Sequence, residues 1–423
     1  MILRPLMKFK VTIMRDDSPK VAHRKALVVT GTSAILDSVV EVNIGKSTDA
    51  LQDYLGSYEV LSLLIPTLNT LIGALPAMPQ LHTIQLSNII LSRTYLHTIL
   101  SAPHPVHLTL QTVKLPQMST FPPTRLRKLT LTRMSSWETV EPLIAHLAAS
   151  LEYLGLQMCR FLPPIQLQLP PFPYLHELSH HQERIRNTFP DKGQLNELLR
   201  LGPQVTRLHV TGHTRNESVI ACHESLQYLY TSIWMLSEDI FGTEPFPRLI
   251  HLSLIFSEYA DTRNHPLTPS SFIRDHFPTI TSLHLSIPWG LRNHAMVMAR
   301  SQHNVQALKL VMYIHNWMED EAMTSWFPQD VPNDQLPQTM SPAALQTLKL
   351  EVVQFDDELE QSATRCSRWV FDDIVPSVKG LGGAGLKNIG LLVSQPKSKS
   401  VAREQLLSRQ WVKAPNGDWL RLE

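Results

Sequence analysis

The sequence predicts an α/β solenoid: stacked strand–loop–helix coils that share a parallel β-sheet on one side. Two observations predict it. A six-residue aliphatic phrase recurs along most of the 423 residues, and amphipathic helix-like segments lie between its copies.

In the phrase an aliphatic residue is followed by two variable positions, a second aliphatic, one variable position and a third aliphatic. It reads LHTIQL (81–86), PVHLTL (105–110), LRKLTL (126–131), LEYLGL (151–156), LHELSH (175–180) and VTRLHV (205–210). It continues as LQYLYT (226–231), LIHLSL (249–254), ITSLHL (280–285), VQALKL (305–310), LQTLKL (345–350) and LKNIGL (386–391). From Ile84 to Leu308 the middle aliphatics lie 21 to 31 residues apart, and the last two steps, to Leu348 and Ile389, are 40 and 41. Most of these fall in or near the window of about 20–29 residues that marks leucine-rich repeats. The predicted fold class is therefore an α/β leucine-rich-repeat solenoid, a horseshoe with parallel β-sheet on the concave face and helices and loops outside.

Alternation in the second half of the phrase puts two aliphatics on one face of a strand and the variable residues on the other. One such strand is not stable alone. Stacked neighbours bury a common aliphatic column and satisfy each other's backbone groups. The stretch from Val60 to Ser92 has no Asp, Glu, Lys or Arg, long enough to cross a bilayer. Its prolines and the one-face spacing of Leu61, Leu64, Leu68, Leu71 and Leu75 predict a packed helix instead. Ser135-Ser136-Trp137-Glu138 reads as a capping box opening a helix through Val140, Leu143, Ile144 and Leu147. Further helices are expected at 193–202, 270–277, 293–300 and 367–378.

Residues 1–80 are expected to form an atypical N-terminal cap or first repeats, with strand-like pieces MKFKVTIM (7–14) and KALVVTGT (25–32). The solenoid is expected over 81–395, with an insertion at 315–341, and residues 396–423 as a C-terminal tail or cap. FLPPIQLQLPPFPYL (161–175) is too rich in proline for a helix and predicts an extended crossing. The insertion mixes Glu319, Asp320, Glu321, Asp330 and Asp334 with Trp317, Trp326 and Phe327, as in a docking loop for a basic partner or a solvated surface excursion.

The net charge is +1, with 43% hydrophobic and 18% charged residues, which gives no electrostatic footprint for nucleic acid or an anionic membrane. Proline (31) outnumbers glycine (16), so stiff connections are expected. Cys159, Cys222 and Cys366 match neither a disulfide framework nor a zinc-finger spacing, and the first residues lack a signal-peptide pattern. An intracellular protein, cytoplasmic or nuclear, is expected, with the sequon Asn216-Glu217-Ser218 unused.

The chain resembles the repeat region of fungal F-box-type leucine-rich-repeat proteins. LRKLTL, LEYLGL and LQTLKL carry the resemblance, with the irregular spacing, the Pro-rich inserts and the Trp-flanked ending RQWVKAPNGDWLRLE (409–423). It covers residues 81–391 and implies repeats that select a substrate for a cullin-type ubiquitin ligase, joined to it by an F-box that docks a Skp-type adaptor. Residues 1–58 depart from that pattern: they contain no Leu-Pro start followed by an acidic-aliphatic helical run.

Three motifs invite chemistry. His176-Glu177-Leu178-Ser179-His180 matches H-E-x-x-H, in which two histidines one helical turn apart hold Zn²⁺ and the glutamate polarises a water, with Glu197 downstream as a third ligand to consider. The five residues lie in register with the repeat, however. On a strand the two histidines would share a face about 13 Å apart, too far for one metal. Glu183 and Arg186 also stand where a longer zinc motif needs Gly and His. Gly380–Gly385 matches G-x-G-x-x-G, but helix precedes and strand follows, the reverse of a dinucleotide fold. Gly45-Lys46-Ser47 lacks the earlier glycine of a phosphate loop, Val40 standing there.

The expected function is protein–protein interaction: substrate recognition for a ubiquitin ligase, or an LRR scaffold with no ligase link, with a zinc peptidase as the third reading. No cofactor, metal, nucleic acid or membrane is expected; the partner is an unknown protein, with a Skp-type adaptor as a further candidate. The variable positions of the phrase should line one ribbon. Its stretch richest in anchor-type residues is Arg207, His209, Tyr228, Tyr230, His251 and His284, which is the expected contact zone.

Overall fold

A computed structural model describes residues 9–13, 18–45, 58–159, 168–181, 194–211, 219–255, 270–288, 298, 302, 304–314, 345–354, 387–396, 403–413 and 419–422. The insertion 315–341, Cys366, Gly380–Gly385, Lys46-Ser47, the sequon and the expected helix at 367–378 lie outside them, as does all of 293–300 except Met298. The chain divides into two compact units, Met1–Val205 with Gly212–Glu217, and Thr206–Thr211 with Ser218–Glu423.

The first unit is a sheet of parallel strands in chain order: β1 (Phe9–Ile13), β2 (Val39–Gly45), β3 (Thr83–Ser87), β4 (His107–Gln111), β5 (Lys128–Thr132), β6 (Tyr153–Gln157) and β7 (Glu177–His181). From β3 onward each strand is the second half of a phrase copy. Pairing is without slip between these strands, so Ile84, Leu108, Leu129, Leu154 and Leu178 form one continuous column. All five are 0% exposed. Each such leucine contributes roughly 2 kcal/mol by leaving water.

The connections are α1 (Pro19–Gly31), α2 (Ser33–Leu36), α3 (Tyr58–Ala74), α4 (Arg93–Ser101), α5 (Trp137–Leu147) and α6 (Gln194–Leu201). The capping residue of α4, Ser92, accepts a hydrogen bond from the Tyr95 N–H at 3.1 Å. Trp137, Val140, Leu143, Ile144 and Leu147 of α5 are buried, as their spacing predicts. Its expected capping box does not form: Ser136 is the cap but its side chain makes no capping hydrogen bond. In α3, Leu68 and Leu71 are buried, Leu75 lies buried in the 3-10 turn that follows, and Pro66 sits within the helix. No helix among the described residues is long and apolar enough to cross a membrane.

KALVVTGT is a correction. Val28, Val29 and Thr30 favour a strand locally, yet residues 25–31 complete α1, which starts at Pro19, a residue with φ already helical. Ala22 and Ala26, one turn apart, are the buried face. The strand is instead VVEVNIG, with Val39, Val42 and Ile44 buried, and a helix must join it to β1 because parallel neighbours need a crossover.

Four strands of this unit leave the sheet by the same backbone step. Asn88, Thr112, Arg133 and Met158 directly follow β3, β4, β5 and β6, and each has φ between 51° and 54°. Each of their N–H groups donates to the last residue of the next strand: Asn88 to Gln111, Thr112 to Thr132, Arg133 to Gln157 and Met158 to His181.

The second unit contains β8 (Arg207–Thr211), β9 (Tyr228–Ser232), β10 (His251–Ile255), β11 (Ser282–Pro288), β12 (Ala307–Ile314), β13 (Thr347–Gln354), β14 (Asn388–Pro396), β15 (Arg403–Lys413) and β16 (Trp419–Leu422). Pairing is parallel from β8 to β14 and antiparallel from β14 to β16. Leu208, Leu229, Leu252, Leu283, Leu308, Leu348 and Ile389 form the buried column, none more than 2% exposed. The helices here are short: α7 (Glu238–Phe241) and α8 (Ser270–His276). Phe241, Phe246 and Phe277 pack edge-on and tilted, with centroids 5.6 to 5.9 Å apart, and fill the space beside the strands.

Candidate functional site

All six residues of the expected contact zone lie in the second unit, on strands β8 to β11. Exact pairing sorts the face opposite the leucine column into two rows. One runs Arg207, Tyr228, His251, Ser282, Ala307, Thr347; the other runs His209, Tyr230, Ser253, His284, Lys309, Lys349. Alternation along the strand accounts for this, since residues two apart point the same way.

Five of the six form one cluster. The His209 ring is stacked between Tyr228 and Tyr230, at centroid distances of 5.3 and 5.4 Å and interplanar angles of 25° and 27°. The Arg207 guanidinium carbon lies 5.9 Å from the Tyr228 ring centre, within reach of a cation–π attraction of about 0.5–1 kcal/mol. His251 continues the series 6.1 Å from Tyr228. Burial pushes the Tyr230 phenol above its ordinary pKa, with the Tyr313 and Tyr228 phenols adding to the effect; it stays a neutral hydrogen-bonding group at physiological pH. His284 stands apart from the stack, with Ser253 between it and Tyr230 in the row, and its Nδ1 lies 3.0 Å from Ser253 Oγ.

Beside the stack the face sinks into a hollow of about 480 Å³. Small residues, Ser253, Ser282 and Ala307, leave this space between the larger Tyr228, His251, His284, Lys309 and Lys349. Lys309 Nζ lies 3.0 Å from Glu351 Oε2, and the Glu351 side chain is only 13% exposed. Lys309, Lys349 and Ala307 lie on the same ribbon beyond the stretch from Arg207 to His284 singled out from sequence. Two lysines at the same variable position of consecutive phrases were the visible signal. The hollow itself depends on side-chain rotamers, which periodicity does not specify.

The first unit presents the corresponding face differently. His107 Nε2 meets Thr130 Oγ1 at 3.1 Å, and Ser87 and Thr132 each donate to a glutamine on the next strand, at 3.4 and 3.3 Å. Tyr153 lies over Gly155, where an added Cβ would be 2.7 Å from its hydroxyl. Burial raises the Tyr153 pKa, while hydrogen bonds with Thr130 and Ser179 oppose the rise.

The H-E-x-x-H residues do not converge. Glu177 to His181 is strand, His176 is exposed ahead of it, and His180 is 2% exposed in the aliphatic column opposite Leu156. The expectation that both imidazoles share a face fails, because the extended alternation begins only after His176. Burial, aided by the nearby His181, lowers the His180 pKa to about 4, and its Nδ1 has no hydrogen-bond partner among the described residues. Glu197 on α6 pairs with Arg200 at 3.8 Å. Among the described residues no group of three or more His, Cys, Asp or Glu is placed to hold a metal ion. Cys222 is buried, and that burial pushes its thiol up to about 12.

No protein-family model matches the chain, and no curated protein matches it. Geometry alone therefore carries the site.

Proposed function

We propose that this chain is a leucine-rich-repeat protein whose work is to hold another protein against the sheet face of the second unit. One observation carries the reading: the stacked cluster of Arg207, Tyr228, His209 and Tyr230 beside a hollow of about 480 Å³. Tyrosine and arginine are the residue types that dominate binding energy at protein interfaces, because they offer large contact area at low entropic cost and keep a polar end. Here they are stacked on one another and so hold their positions before a partner arrives, which lowers the ordering cost of association. The opposite face is committed to the leucine column, so the variable face is the one available for recognition.

The test is affinity purification of the full chain from its own cells, wild type against Tyr228→Ala/Tyr230→Ala, with captured proteins identified by mass spectrometry. Removing two central aromatics should weaken a partner docked there by about 30-fold or more. An unchanged partner set would reject the reading. The ubiquitin-ligase connection implied by the family resemblance is a separate part of the proposal. It predicts a Skp-type adaptor and cullin in the same captures and is rejected by their absence from a saturating one.

A further inference from the structure

Two lysines stand directly opposite each other on the binding face. Lys309 of β12 pairs in register with Lys349 of β13, and His284 of β11 is the neighbour of Lys309 on its other side. Like charges directly opposite on adjacent strands destabilise a sheet. One carboxylate relieves part of the conflict, since Glu351 reaches Lys309 at 3.0 Å. Lys349 is exposed and makes no ion pair among the described residues. Both lysines border the hollow, and among the described residues no Asp or Glu lines it. A local conflict of this kind at the edge of a cavity is what a binding site looks like before its ligand supplies the missing charge.

The remaining borders fit the same ligand. Ser282 and Thr347 also line the hollow and offer hydroxyl donors, and His251 lies across from the lysines. Glu351 holds the Lys309 ammonium in place, so the cavity presents one cation already positioned and a second with no carboxylate beside it among the described residues. The chain as a whole has a net charge of only +1, so the attraction is local to this face and lacks the broad basic footprint of nucleic-acid binding.

We propose that the hollow receives the carboxylate side chains of an Asp/Glu-rich segment of the partner protein, with Lys349 as the principal counter-ion. This rests on the docking reading above and adds the chemistry of the occupant. The segment lies over the small floor residues, with its acidic side chains between Lys349 and His251 and its backbone beside Tyr228.

Fluorescence anisotropy on the full chain tests it, using a labelled Glu-Ser repeat peptide, the isosteric Gln-Ser peptide and a single-stranded oligodeoxynucleotide of equal charge. The acidic peptide should bind at least about tenfold more tightly than the neutral one and lose affinity as salt rises. Lys349→Glu should weaken it by about tenfold. Lys128→Glu, an exposed charge on the first unit, should change it by less than about twofold. Far-ultraviolet circular dichroism verifies that both variants are folded. Equal binding of the Gln-Ser peptide, equal effects of the two charge reversals, or oligonucleotide binding as tight as that of the acidic peptide would each overturn the proposal. If it falls while Tyr228→Ala/Tyr230→Ala still strips partners from the chain, the docking reading stands and only the chemistry of the occupant is wrong.

Discussion

The two units use one strand geometry and finish its variable face in opposite ways. In the first, hydroxyls, amides and an imidazole bond to each other across strands, and Tyr153 fills the space left by Gly155. In the second, the corresponding positions hold an aromatic stack, two opposed lysines and a hollow. The buried positions of each strand are thus held nearly constant while the alternate positions vary residue by residue. The aliphatic column is nearly identical in both units, and only the alternate positions decide whether a face is bridged across strands or left with a hollow.

The largest expected effect probes the column itself. His180 occupies an aliphatic position of the first unit, and among the described residues its Nδ1 lacks a hydrogen-bond partner. Its folded pKa of about 4 lies below the ordinary histidine value of 6.5, so between these values the unfolded chain binds the extra proton. The folded state is fully favoured above pH 6.5, and the advantage is lost as pH falls toward 4, by about 3 kcal/mol in all. Urea unfolding from pH 8 to pH 4 should show this loss in the wild type and a correspondingly flatter profile in His180→Leu. Superimposable profiles would show that the imidazole is not the group responsible.

A smaller effect separates the two faces. Gly155→Ala forces Tyr153 off its hydroxyl partners and should cost about 1.5 kcal/mol. Gly390→Ala, whose added Cβ meets, among the described residues, the Lys349 side chain at 4.0 Å, should change stability by less than about 0.5 kcal/mol. Equal costs in chemical denaturation would mean that the first face is no more closed than the second.

The smallest concerns the strand exits. Thr112 has φ of 52°, and its buried hydroxyl finds no hydrogen-bond partner among the described residues. Thr112→Gly should raise stability by about 0.5–1 kcal/mol, since glycine adopts this conformation without strain. A fall in melting temperature would show that the threonine side chain contributes packing that outweighs the strain.

The column was legible in the sequence because leucine periodicity records burial directly: each middle aliphatic from Ile84 to Ile389 lies on a strand and is buried. Residues 25–31 were not legible, because β-branched propensity in Val28, Val29 and Thr30 competes with a helix that the crossover between β1 and β2 requires. β2 went unread because its phrase, VVEVNIG, lacks leucine. Of the candidate site, the aromatic and basic positions could be read one by one from alternation. Aligning the phrases gives the neighbours along each row, but the stacking, the pairing of Lys309 with Glu351 and the hollow over Ser253, Ser282 and Ala307 depend on side-chain rotamers, which periodicity does not specify.

The left-handed residues Asn88, Thr112, Arg133 and Met158 have a bearing on how the first unit assembles. None is glycine, so none prefers its bend unaided, and each bend is held by a carbonyl from the strand that comes later in the chain. During synthesis, every turn must therefore wait for its successor to emerge before it can settle. An excised coil should lose its shape, and order should spread along the chain as a zipper closes, each tooth seated by the next.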